Sequence, residues 1–325
     1  MKKYAMVYDR EIGLGVRGRM NKLWGYAAAI LVLCVIGVTI WMNELKQNEA
    51  NQLAQVTIEP GRAKALLVLD DGQEIELDDH KTSKVLEESG IVIVNDSSRV
   101  EYRPASRMGE KEVMNKIIVP TGGEYNLILS DGTRVYLNAE SVITFPKHFT
   151  GERREVTLEG EAYFHVTASK EHPFIVKTKD MDVMVTGTEF NVNTYGIGGT
   201  QTTLVSGKVG IRGKSSEREY MMEPSQLAEF DVNGEFKGIR NVNAGTYTAW
   251  KEGFFVFENE GLEDILNRLA RWYDVDVFYG SEKVKGYHFT GHMEKYEDVE
   301  IILNAISKMV GVHFTIKDRT IVITE

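Results

Sequence analysis

Four groupings in this sequence have residue types and spacings that chemistry can use. "GLGVRG", Gly13 to Gly18, matches the G-x-G-x-x-G pattern of a dinucleotide-binding turn. That turn needs a strand before it, a soluble helix after it and an acidic residue about 20 positions on. Here an apolar run follows, and no Asp or Glu occurs between Glu11 and Glu44, so cofactor binding is not expected. "HFTGH" spaces His288 and His292 four apart, as a helical metal site does, but the stretch reads as a strand, so no metal site is assigned. "EGEAYFHV" offers Glu159 and Glu161 as a carboxylate pair with His165 as a base. In a strand, Glu159, Glu161 and Tyr163 share one face opposite Leu158, Ala162 and Phe164, so a solvated sheet face explains them without catalysis. The single cysteine, Cys34, lies within an apolar run, which excludes an intrachain disulfide, a cysteine metal site and thiol catalysis in the rest of the chain. No catalytic, cofactor-binding or metal-binding residue is therefore assigned, and the chain does not read as an enzyme.

The elements around these residues begin with "LWGYAAAILVLCVIGVTIWM", Leu23 to Met42, twenty residues without a charge. As a helix it reaches about 30 Å, the thickness of a bilayer's hydrocarbon core. Six basic and two acidic residues precede it, a net of +4, so residues 1–22 form a short basic cytoplasmic tail and the bulk is exported. A cleaved signal peptide would have a shorter apolar region and a small-residue cleavage site, and "WMNELKQNEA" has none. Beyond the tail stand 32 basic and 46 acidic residues, a net of −14, which disfavours nucleic acid as a partner.

After a polar linker, residues 43–55, short alternating runs predict strands. In "AKALLVLDDGQEIELDD", Ala65, Leu67 and Leu69 share a face, "DDG" turns the chain, and Ile75 and Leu77 resume the alternation. The pattern recurs sixty residues later in "GEYNLILSDGTRVYLNA", with Pro60 matching Pro120, Leu67 Leu127, Asp71 Asp131, Gly72 Gly132 and Leu77 Leu137. Further short strands follow, so residues 56–240 read as an all-β domain, sandwich-like or solenoid-like. "HKTSKVLEESG" is too short to assign.

Near Trp250 the period changes. In "GLEDILNRLARWYDVDVFYG", Leu262, Ile265, Leu266 and Leu269 hold the i, i+3, i+4, i+7 spacing of an amphipathic helix. Val299, Ile302, Leu303 and Ile306 repeat it 37 residues on, and Val275 and Val277 match Val312 and Phe314. Residues 241–325 thus predict a small α+β domain of two strand-helix-strand units, with two helices on one sheet. In "GFFVF" both faces are apolar, so one face is expected to meet a partner, and Phe255, Phe257, Trp272 and Tyr273 are the candidate partner-binding residues.

"VPTGGEYNLILSDGTRVYLNAESVITFPKHFTGERREVTLEGEAYFHV", "PFIVKT", "VTGTEFNVNTY" and "TTLVSGKV" resemble the FecR-like transmembrane sigma-factor regulators, of the kind abundant in Bacteroidetes. "WKEGFFVFENEGLEDILNRLARWYDVDVFY" resembles their C-terminal domain, akin to the short N-terminal domain of secretins and TonB-dependent receptors. The resemblance covers about residues 56 to 325. It implies a single-pass inner-membrane anti-sigma factor whose periplasmic part senses the signalling domain of a TonB-dependent outer-membrane transporter. It also implies a cytoplasmic domain holding an extracytoplasmic-function (ECF) sigma factor. Such domains have several dozen residues; the twenty-two here are too few to bury a core, which points to a start further upstream or to another contact. His165 stands where the family commonly has Glu, and Ser225 where it commonly has Gly. The competing readings are a membrane-anchored carbohydrate-binding or scaffolding β-protein, and a hydrolase using Glu159 and Glu161.

The charge asymmetry yields a direct test. A reporter active only outside the cytoplasm, fused after Glu325, is expected to be active. Activity of a cytoplasmic reporter at that site, with silence of the first, reverses the topology.

Overall fold

The computed structural model describes residues 36–42, 57–78, 84–88, 91–96, 99–104, 112–196 and 198–325. The chain divides into a unit before Ile58 and a compact unit from Ile58 to Glu325. Of the first, residues 36–42 are described and helical, with Ile36, Val38, Ile40, Trp41 and Met42 exposed. The rest of the expected span, with Cys34, "GLGVRG" and the linker, lies outside the described residues. Among the described residues no helix is long and apolar enough to cross a membrane.

The all-β part has nineteen described strands in two layers. The first layer holds β1 (Arg62–Val68), β2 (Glu74–Asp78), β6 (Met114–Ile118), β9 (Val142–Pro146), β10 (Arg154–Glu159), β12 (Phe174–Lys177), β13 (Met181–Val185), β16 (Val209–Gly213) and β17 (Glu219–Met222). They pair in the order β2-β1-β6-β9-β10-β12-β13-β16-β17. The second holds β3 (Lys84–Glu88), β4 (Ile91–Asp96), β5 (Arg99–Pro104), β7 (Gly123–Ile128), β8 (Arg134–Leu137), β11 (Glu161–His165), β14 (Glu189–Asn193), β15 (Thr200–Ser206), β18 (Gln226–Phe230) and β19 (Phe236–Asn241). They pair in chain order. From β6 onward the chain alternates between layers, usually two strands at a time, so the sandwich is built by solenoid-like progression. A short parallel pairing of β1 with β7, at Arg62↔Gly123 and Ala63↔Glu124, joins the layers. Inward side chains from both, such as Leu67, Ile117, Val156 and Val183 from one and Leu127, Phe164, Phe190 and Val192 from the other, form one buried cluster. The stretch left unassigned in sequence, around residue 84, forms strand β3.

The sixty-residue repeat is structural. Leu67 faces Ile75 and Ala65 faces Leu77 across β1 and β2, while Leu127 faces Val135 and Tyr125 faces Leu137 across β7 and β8. Both turns close alike: Gly72 N–H donates to Leu69 O and Gly132 N–H to Leu129 O, with φ of 84° and 83°. Asp71 and Asp131 each accept a backbone N–H two residues on, which is the reason for the Asp-Gly pair. Ser225 has φ of 63°, the left-handed conformation that explains why glycine is common there. His165 Nδ1 lies 3.0 Å from Glu189 Oε1 on the neighbouring strand.

The C-terminal part opens with helix α1 (Ala244–Thr248) and continues β20 (Phe254–Gly261), α2 (Leu262–Tyr273), β21 (Asp276–Tyr279), β22 (His288–Glu294), α3 (Val299–Val310), β23 (His313–Lys317) and β24 (Thr320–Thr324). The periodic residues Leu262, Ile265, Leu266 and Leu269 of α2 and Val299, Ile302, Leu303 and Ile306 of α3 are all buried. Asp298 caps α3 by accepting from Glu300 N, and Gly311 ends it in a left-handed conformation. The strands form two sheets rather than the expected one: β20 pairs with β22, and β24 lies between β21 and β23. The helices share a second buried cluster with Phe255, Phe257 and Phe289. Ile58, which precedes β1, belongs to this second cluster.

Gly160, between β10 and β11, has φ of 96°, and a Cβ there would lie 2.6 Å from Ser141 Cα. Gly160→Ala is expected to lower stability by about 1–3 kcal/mol, read as a shift in the chemical-denaturation midpoint. An unchanged midpoint would show that this crossing is plastic.

Candidate functional site

A group of buried charged and polar side chains gathers where the C-terminal part packs on the sandwich. Lys295 follows β22, its backbone N–H donates to Gly253 O, and its side chain is only 1% exposed. Its ammonium lies 3.7 Å from the centroid of the Trp272 ring and 5.5 Å from that of Trp250, and pairs at 2.6 Å with Glu124 of β7. The Tyr296 hydroxyl donates to the other Glu124 oxygen. Burial lowers the Lys295 pKa, with Glu124 opposing, and raises that of Tyr296, with Glu124 adding to the rise. The Trp272 indole N–H donates at 2.6 Å to Lys295 O, and Tyr273 donates at 2.7 Å to Glu297 O, so α2 fixes the turn that carries the ammonium.

Beside this pair lies a buried polar network. Glu161 accepts from Asn138 Nδ2 at 2.8 Å and Asn191 Nδ2 at 2.9 Å, and Asn191 Oδ1 accepts from the Trp250 indole. The Arg271 guanidinium stacks 4.0 Å from the centroid of the Tyr195 ring, and the Tyr195 hydroxyl donates to Ala139 O. Burial raises the Tyr195 pKa, and Glu161 adds to it. The network surrounds a chamber of about 60 Å³ lined in part by Asn193, Thr203, Phe254 and Val256. A polar cleft of about 1180 Å³ adjoins it, lined in part by Gln201, Tyr247, Asn267 and Arg268. Arg268 pairs at 3.1 Å with Glu260, whose pKa burial raises against the pull of that arginine. These carboxylates and phenols are held by partners within the chain, an arrangement that joins two folded parts.

The structure corrects the solvated-face reading and places the other residues singled out in sequence. Glu159 is exposed but Glu161 and Tyr163 are buried, because Gly160 breaks the alternation and the C-terminal part covers β11. Tyr163 donates to Glu189 and carries the Lys251 ammonium over its ring. His288 and His292 are exposed on β22, and the described residues contain no cluster of three His, Cys, Asp or Glu able to hold a metal. Phe255, Phe257, Trp272 and Tyr273 do come together, but as core: all four side chains are buried. The second apolar face of "FFVF" faces this chain, since Phe254 and Val256 line the chamber. Sequence reasoning missed Glu124, Lys295 and Tyr296; they are 171 and 172 residues apart, and no local pattern marks them. Outward-facing apolar side chains remain at Phe278 on β21 and at Ile301 and Met309 on α3.

Two family models match in order: residues 115–210 match "FecR protein" and residues 254–323 match "FecR, C-terminal". A crystal structure of a protein from Parabacteroides distasonis ATCC 8503 assigned as an anti-sigma factor is 30% identical, with a TM-score of 0.60. It covers 65% of this chain, and this chain covers 98% of it. A second structure from that organism, with the same assignment, is 29% identical with a TM-score of 0.60, covering 65% of this chain and 99% of that one. No curated protein matches the chain.

Exposure ranks the two halves of the buried pair. Glu124→Ala leaves an ammonium without its counter-charge and is expected to cost about 3 kcal/mol in denaturation. Lys295→Met leaves Glu124, which is 23% exposed and can reach water, so it is expected to cost less. The reverse order would mean that the tryptophan rings, rather than Glu124, stabilise the charge.

Proposed function

The chain belongs to the FecR-like family of anti-sigma factors, and on that premise we propose that it restrains an ECF sigma factor from the inner membrane. The same proposal makes it a relay for the state of a TonB-dependent outer-membrane transporter. The carrying observation is that both FecR segments lie in order on one chain that spans 98% of a relative assigned as an anti-sigma factor. The family is regulatory rather than enzymatic.

Membrane anchoring rests on the uncharged run Leu23–Met42 and the +4 tail before it. Contact with the transporter's signalling domain is assigned to a sheet edge of the C-terminal part. Strand β21 pairs in parallel with β24 on one side, and no described strand pairs with its other side. It presents Phe278, 60% exposed, beside that open edge. Strand addition there would satisfy free backbone groups, and the aromatic ring would add apolar area. Phe255 and Phe257, buried in the other sheet of this part, are not assigned to the contact.

Phe278→Asp tests this assignment. Stability is expected to change by no more than about 0.5 kcal/mol, because the residue is exposed. Affinity for the signalling domain of the cognate transporter is expected to fall by about tenfold or more. Unchanged affinity would remove β21 from the contact. A sigma-dependent reporter that ignores deletion of the whole chain would remove the regulatory reading itself.

A further inference from the structure

The two copies of the sixty-residue repeat differ in how the chain enters them. In the second copy, Ile118 closes strand β6 within the sandwich, and Pro120 leads into β7. In the first copy, the equivalent Ile58 is buried in the C-terminal cluster, and Pro60 leads into β1. The segment that brings the chain into the sandwich is thus held by the last part of the chain to be made.

Its packing is tight. A Cβ on Gly61 would lie 2.6 Å from two ring carbons of Trp272, so the segment passes directly against that indole. Gly122 N–H donates to Arg271 O at 2.7 Å, and Arg62 N–H donates to Gly122 O at 3.1 Å, so backbone bonds run from α2 through the sandwich to the first residue of β1, next to the segment. The Trp272 ring also carries the Lys295 ammonium, and Glu124, next but one to Gly122, binds that ammonium. Trp272 therefore touches the incoming segment while standing beside the charge pair that fastens the C-terminal part to the sandwich.

We infer that Ile58–Gly61 is an intramolecular ligand of the C-terminal part, clamped against Trp272 and locked by the Glu124–Lys295 pair. A partner that pulls on the C-terminal part loosens this clamp and frees the segment linking the folded part to residues before Ile58. This consequence rests on the proposed regulatory role; the clamp itself does not. The physical ground is that Ile58 and Gly61 have their burial from the C-terminal part, so their protection follows its docking.

Amide hydrogen exchange on the full chain tests it, with Lys295→Met and Gly61→Val as independent variants. The first removes the lock, and the second puts a side chain where the Trp272 ring lies. In both, residues 57–64 are expected to exchange about tenfold or more faster than in the unaltered chain, while residues 174–185 in the sandwich core keep their protection. Should either variant unfold the C-terminal part, release of 57–64 along with it supports the clamp equally. Continued protection of 57–64 when the C-terminal part is loosened or unfolded would overturn it, since β1 pairing alone would then hold the segment. The sigma-dependent reporter separates the two levels: rapid exchange with unaltered reporter output leaves the clamp standing and overturns its regulatory consequence.

Discussion

An ammonium group taken out of water needs a counter-charge and close polar contacts, or it is driven to give up its proton. Lys295 meets that constraint with groups drawn from both parts of the fold: Glu124 from the sandwich, and the faces of Trp250 and Trp272 from the C-terminal part. The parts can separate only by exposing two indoles and re-solvating the pair. Trp272 also touches the incoming segment at Gly61, and Trp250 bonds to Asn191 beside β11, so the same rings lie against three parts of the fold.

The junction is polar where a domain core would be apolar. Glu161, Asn138, Asn191 and Trp250 form a hydrogen-bonded chain across it, and a chamber remains beside them. This contact is more polar than the two apolar clusters on either side, which hold aromatic as well as aliphatic side chains.

Much of the fold was legible because it is local. The hairpins at Leu67 and Leu127 announce themselves by alternation around an Asp-Gly turn, and α2 and α3 by the spacing of Leu262 and Val299 with their partners. Where the sequence misled, a local rule met a distant neighbour. Glu161 and Tyr163 look like a solvated face because charged and polar residues alternate with apolar ones, yet another part of the chain covers that face. Phe254 and Phe255 make both sides of β20 apolar for the same reason: one side meets α2 and α3, and the other the chamber.

Residue type and spacing along a few turns or strands specify most of the strands, the two long C-terminal helices, the two internal repeats and the charge asymmetry about the apolar run. Only the tertiary structure decided which faces are interfaces, that Lys295 finds Glu124, and that Ile58 packs in the C-terminal core rather than in the sandwich. The reason is that burial of a charge or of an aliphatic side chain depends on what lies across from it. At a separation of 171 residues, periodicity along the chain carries no information about that neighbour.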